Sequence, residues 1–236
     1  MFHVLVPIGV AILPFVLYAA TGKGESLAGE MGIIENMTVL FLLVAISIAA
    51  SSLVHMGHRR GVPRVLRPWV VLMILGSIYF AGEELSWGQH IFGWNTPEHW
   101  GRVNDQGETN FHNTSFLLDQ FPRALLTIAI LLGGAVAPLY RKFRKIELNR
   151  MRTWYWVLPT IECLPAACLV LLFRPMVFLV GADFVPAGEM KEMAIALFIL
   201  IYINSVRSRL RNLEQVIYAD VHVLSAGVYP VERRRR

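Results

Sequence analysis

Residues 82–94 read GEELSWGQHIFGW, and residues 104–113 read NDQGETNFHN. Glu83, Glu84, Ser86, His90 and Glu108 in these stretches are the types that carry general acid–base and nucleophilic chemistry. His90 and His112, with the carboxylates of Glu189-x-x-Glu192 further on, have the mixed nitrogen and oxygen donors that suit a divalent metal such as zinc, manganese or iron. Glu35, Gln89, Asn104, Gln106, Asn110 and Asn113 would hold those groups by hydrogen bonds. The question is which elements bring them together.

The 236-residue chain is 55% hydrophobic and 17% charged, with a mean hydropathy of +0.50. Its apolar residues come in blocks of roughly 18 to 23, long enough to cross a bilayer as helices. The blocks predict spans at Val4–Ala20, Glu35–Met56, Pro68–Gly88, Pro122–Tyr140, Trp154–Phe173 and Glu189–Asn204. The fold class expected is all-α: a polytopic transmembrane helical bundle of about six spans in residues 1–206. A long loop at 91–121 and a basic tail at 207–236 complete the organisation.

Most of the 22 basic residues fall in three segments, at Arg59–Arg67, Arg141–Arg152 and Arg207–Arg236. These alternate with acid-bearing connections, so the positive-inside rule predicts both termini in the cytoplasm. The net charge of +5 is thereby assigned to the membrane surface rather than to a nucleic-acid partner. Cys163 and Cys168 share one apolar block and read as buried small hydrophobes.

This threading sets Glu35, Glu83, Glu84, Glu108, Glu189, Glu192, His90 and His112 at one depth, near the outer rim. Carboxylates in a membrane cost on the order of 2.5–3.5 kcal/mol each on insertion scales unless paired or facing a wet cavity, which predicts a shared polar pocket. Glu35 and Glu189 also suit helix N-terminal positions, where negative charge is favourable. Glu83 and Glu84 sit at the wrong end of their helix for that. If residues 82–94 continue as helix, Glu83, Trp87 and His90 share one face and Glu84 points about 100° away. The 104–113 segment reads either as extended, with its polar residues on alternate positions, or as helix, pairing Glu108 with His112. Glu162 lies inside the fifth block as a partner to another span or a separate site. Residues 205–218 read as an amphipathic continuation of the last span.

The run Gly82–Gly93, with Thr96–Glu98, Gln106–Asn113 and Ile34-Glu35-Asn36-Met37-Thr38, resembles a family of uncharacterised bacterial integral membrane proteins. The resemblance implies a bacterial inner membrane and no known activity. Ser86-x-x-x-His90 is also similar to the spacing in the alkaline ceramidase and adiponectin-receptor-like hydrolases, whose Ser and His serve a zinc site. That superfamily has a late H-x-x-x-H pair; Glu189-x-x-Glu192 stands in the comparable place here.

The leading functional expectation is a metal-dependent hydrolase or transferase acting on lipid from an outward-facing pocket. The alternative is a non-enzymatic subunit or assembly factor that partners other membrane subunits and uses the polar cluster to hold its long loop down. An ion pathway would need polar residues through the membrane depth, and these are sparse.

Overall fold

The structure is a computed structural model that describes residues 2–22, 32–57, 61–104, 106–149, 151–182 and 185–225. The first three long helices are α1 (Phe2–Thr21), α2 (Ile33–Met56) and α3 (Leu66–Glu84). Two short helices, α4 (Gln89–Phe92) and α5 (Glu98–Val103), lie in the long loop. The fourth span joins α6 (Phe116–Ala129), a π-helical stretch at Ile130–Val136 and α7 (Ala137–Arg144). The fifth joins α8 (Thr153–Val157) to α9 (Leu164–Val180), and α10 (Ala187–Ser225) is the last. Among the described residues six helical stretches are long and apolar enough to cross a membrane, and the chain is a multi-pass, all-α membrane protein. An even number of crossings returns both ends to one side. One end of the bundle is rich in carboxylates and the other in arginine and lysine.

The 193–203 stretch of α10 is apolar all round and forms the core of the bundle, with charged residues confined to the helix on either side of it. Met190, Met193, Ile195, Leu197 and Ile201 are fully buried on this helix, against α2, α3 and α9. Association of helices in lipid relies on close packing of small residues. Ala45 and Ala49 on α2, and Ala166 and Ala167 on α9, are all buried. Gly134, in the π-helical stretch, leaves no room for a Cβ against the Phe198 ring. Thr38 and Ser52 satisfy their hydroxyls on the carbonyls one turn back, Ile34 at 3.0 Å and Ile48 at 2.7 Å.

Two expectations are corrected, on the third and fifth spans. The third span does not run to Gly88; it ends at Glu84. Ser86 (φ 45°), Trp87 (φ 54°) and Gly88 (φ 97°) are all left-handed, and no α-helix continues through them. The fifth span is not one helix. Pro159 has no N–H and disfavours helical backbone at Leu158, which is extended (φ −71°, ψ 138°). The last helix crosses residue 206 without a break and runs to Ser225, through the 205–218 stretch that continues the last span. Glu162 is exposed and stands 3.6 Å from His3 on α1, which fits the first of its two readings, a partner to another span.

Candidate functional site

The left-handed bend after α3 decides how the site is built. It turns the chain at once and lets the loop fold back over the carboxylate-rich end. Two non-glycine residues in this conformation cost about 1–3 kcal/mol each and persist where surroundings fix them. Here the Ser86 hydroxyl donates to Glu108 Oε2 at 2.7 Å, and the Ser86 carbonyl accepts from Thr109 Oγ1 at 2.9 Å. Trp87 Nε1 donates to Glu83 Oε1 at 2.8 Å.

Residues 106–111 are neither helix nor plain extended chain, and a 3-10 turn follows at His112–Thr114. Asn104 Oδ1 accepts from the backbone N–H of Gln106 and of Glu108, both at 3.0 Å, while its Nδ2 donates to the Asn110 carbonyl at 2.9 Å. The side chain thus closes a turn on itself, with Gly107 supplying the positive φ of 67°. Gln89 Oε1 accepts from Thr109 N (2.8 Å) and Oγ1 (2.9 Å), and Gln89 Nε2 donates to Thr96 Oγ1 at 2.6 Å. The Gln106 side chain accepts from Asn113.

The acidic and imidazole groups form two overlapping sets that share Glu108 and His112. The first ties the loop down. Glu108 meets Ser86, Asn110 and His90 Nε2, the last at 3.2 Å. Glu83 Oε2 accepts from the backbone N–H of Phe111 (2.8 Å) and His112 (2.9 Å), and faces His112 Nδ1 at 3.3 Å. The expected common face of Glu83, Trp87 and His90 is only half formed: Trp87 reaches Glu83, whereas His90 goes to Glu108. Likewise His112 pairs with Glu83 and not with Glu108.

The second set surrounds a cavity of about 390 Å³. Glu35 from α2, Glu84 from α3 and Glu189 and Glu192 from α10 line it, with Glu108, Gln106, Asn110, His112 and Asn113 from the loop. Glu84 points away from Glu83, as the helical spacing predicts. Glu35 and Glu189 stand in the first turns of their helices, so both their readings hold together. Ser86 is wholly buried outside this lining, with its hydroxyl hydrogen given to a carboxylate. That ties it into the loop network. Gln89, His90 and Asn104 are outside the lining too.

Arg123 is the residue that sequence reasoning missed. It reaches from α6 into the cavity, 2.9 Å from Asp119 and in direct ion-pair contact with Glu192. The signal was present: Asp119 and Arg123 are one helical turn apart at the mouth of an otherwise apolar block. Beside the cavity lies an apolar cleft of about 270 Å³, walled by Met73, Tyr79, Phe80, Leu126, Ile195 and Ile199. The two share Glu84, His112, Arg123 and Glu192.

Comparison with protein-family models, curated proteins and solved structures gave no match. The site is therefore read from its own geometry. Among the described residues no three His, Cys, Asp or Glu side chains are drawn together as a metal-holding group. The expected set of His90, His112, Glu189 and Glu192 is split, because His90 belongs to the loop network.

Gly82 supports the bend from behind. A Cβ there would lie 2.9 Å from the Trp87 ring. Gly82→Ala is expected to push the indole off Glu83 and lower stability by about 1–3 kcal/mol. A thermal melt followed by tryptophan fluorescence checks this; an unchanged midpoint contradicts the packing.

Proposed function

We propose that this protein is a membrane-embedded hydrolase or transferase that acts on the polar group of a lipid. The observation that carries the reading is the junction of the carboxylate cavity with the apolar cleft. A lipid has the same two-part chemistry: its head fits the polar chamber and its chain the cleft between α3, α6 and α10. Five carboxylates, one guanidinium and one imidazole line the chamber. This excess of acid favours a head that donates hydrogen bonds or carries positive charge, and disfavours a bare anion.

His112 is the acid–base residue in this reading. Glu83 fixes it twice, through its backbone N–H and through Nδ1, and the ring lines the chamber. An imidazole oriented by a carboxylate is the arrangement that moves a proton at a set place. Arg123 offsets the carboxylate charge and lies where negative charge developing on a substrate would be stabilised. Glu84 takes no ion pair among the described residues and is the carboxylate that can accept or return a proton.

A divalent metal is part of the proposal on donor chemistry. His112, Glu189 and Glu192 have the donor types, and the Glu83 contact behind His112 is the usual support for a metal-bound imidazole. They would have to draw closer to hold an ion, since among the described residues no three such side chains form a metal-holding group. When bound, the ion would balance the acids and polarise the substrate group under attack. We also propose that the chamber opens to the outer face of a bacterial inner membrane. The supporting feature is the concentration of basic residues at the opposite end.

The test is lipid turnover, read by mass spectrometry, on purified protein given a bacterial lipid extract, with divalent metal measured on the same sample. Wild type is expected to release head groups or chains. His112→Ala is expected to lose about 10²–10⁴-fold in rate at near-native melting temperature. Absence of turnover in wild type, across extract and metals, overturns the enzyme reading. Turnover without metal above background removes the metal and leaves the acid–base residues.

A further inference from the structure

The opposite end of the bundle carries a second pocket, independent of the carboxylate chamber. It encloses about 810 Å³ between α7, α8 and α10, and its polar wall is Arg141, Lys142, Lys145 and Arg209 with the rings and hydroxyls of Tyr155 and Thr160. The break at Leu158–Pro159 explains why two arginines meet there. It frees carbonyls that a continuous helix would have used, and guanidinium groups take them up. Arg209 donates to the carbonyls of Tyr155 and Leu158, the latter at 3.1 Å, and Arg141 donates to that of Pro159. Arg209 also lies over the Tyr155 ring, 5.8 Å from its centroid.

These contacts satisfy hydrogen bonds without cancelling charge. Among the described residues none of the four cations forms an ion pair with a carboxylate. The pocket lining has a single carboxylate, Glu147, which is exposed. A positive pocket at the edge of a membrane span is complementary to an anion held in the headgroup layer. Its other wall is apolar: Ile146 is 45% exposed and Ile161 40% exposed, where acyl chains would lie.

We propose that this pocket binds the phosphate headgroup of an anionic phospholipid in the leaflet at the basic end. Arg141 and Arg209 set its floor, and Lys142 and Lys145 close over the phosphate from the rim. Charge complementarity and an apolar wall beside the cations select a lipid over a soluble anion. The basic loops predict that this leaflet is the cytoplasmic one, where anionic lipids concentrate. Nothing in this inference depends on the activity proposed for the other end.

The experiment compares detergent-purified protein titrated with phosphatidylglycerol, with phosphatidylcholine and with inorganic phosphate, read by lipid adducts in native mass spectrometry and by melting temperature. Phosphatidylglycerol is expected to bind and raise the melting temperature, and phosphatidylcholine to do neither. Lys142→Ala with Lys145→Ala is the chosen variant, because both lysines are exposed and hold no structural contact in the pocket. It is expected to weaken phosphatidylglycerol binding about 25-fold, about fivefold for each lysine, with the lipid-free melting temperature unchanged. Equal binding of the two lipids, or undiminished binding by the double variant, overturns the proposal. So does inorganic phosphate that competes fully at millimolar concentration, which would make the ligand a free anion.

Discussion

Glu83→Ala is expected to release the 104–113 loop and to cost about 3 kcal/mol or more. The carboxylate accepts from Trp87 Nε1 at 2.8 Å, Phe111 N at 2.8 Å and His112 N at 2.9 Å, and is only 4% exposed. Hydrogen bonds to a charged acceptor contribute about 1.5–3 kcal/mol each. Simple addition would overstate the total, since both backbone donors lie on a half-exposed loop and can find water once it lifts. At about 2–4 °C per kcal/mol for a chain of this size, the melting temperature should fall by roughly 6–12 °C. Hydrogen exchange should show the amides of Phe111 and His112 losing protection while those of α2 and α10 keep theirs. Glu83→Gln keeps one acceptor oxygen and should lose about half as much. If both variants melt with wild type, Glu83 does not hold the loop, and the orientation assigned to His112 has no support.

That prediction rests on a contact the sequence conceals. The spans were legible because a bilayer demands apolar blocks of a set length, and Glu35, Glu84, Glu189 and Glu192 could be placed at one end by counting crossings. The grouping of the acids into two overlapping sets was not legible. It follows from the bend at Ser86 and Trp87, and neither residue favours left-handed backbone by its own chemistry. Tertiary hydrogen bonds from Glu83, Glu108 and Thr109 impose it. Local periodicity therefore points to a helix through His90 that does not form. The break in the fifth span had a signal in Pro159, outweighed by the apolar run around it. Arg123 lies outside the three basic segments, and its place in the site is hidden from the sequence because its second partner, Glu192, lies on another helix.

The division of labour also bears on the two functional readings. The Glu108 network is what a structural cluster would be: saturated, buried and given over to holding a loop. The chamber is different. Its carboxylates come from α2, α3, α10 and the loop, and Arg123 is the one guanidinium among them, paired with Glu192 and with Asp119 on its own helix.

Arg123→Ala is accordingly expected to be the more damaging change for ligand binding, and costly for folding. It leaves Glu192 and Asp119 without their cation, with Glu84 facing the same chamber. Breaking a buried pair from one side costs about 3–5 kcal/mol. The Arg123 side chain is 30% exposed, so water takes up part of that charge and about 2–3 kcal/mol is expected here. Glu192→Gln in the same background should recover much of it, because the excess negative charge is then reduced. A double-mutant cycle on Arg123→Ala and Glu192→Gln should return a coupling of about 1–3 kcal/mol. Additive losses would mean that the pair does not interact. Arg123→Lys keeps the charge but shortens the reach and loses the fixed guanidinium donors, of which Nη2 meets both Asp119 and Glu192. It should preserve stability better than it preserves lipid turnover, a separation that a purely structural role for Arg123 would not produce.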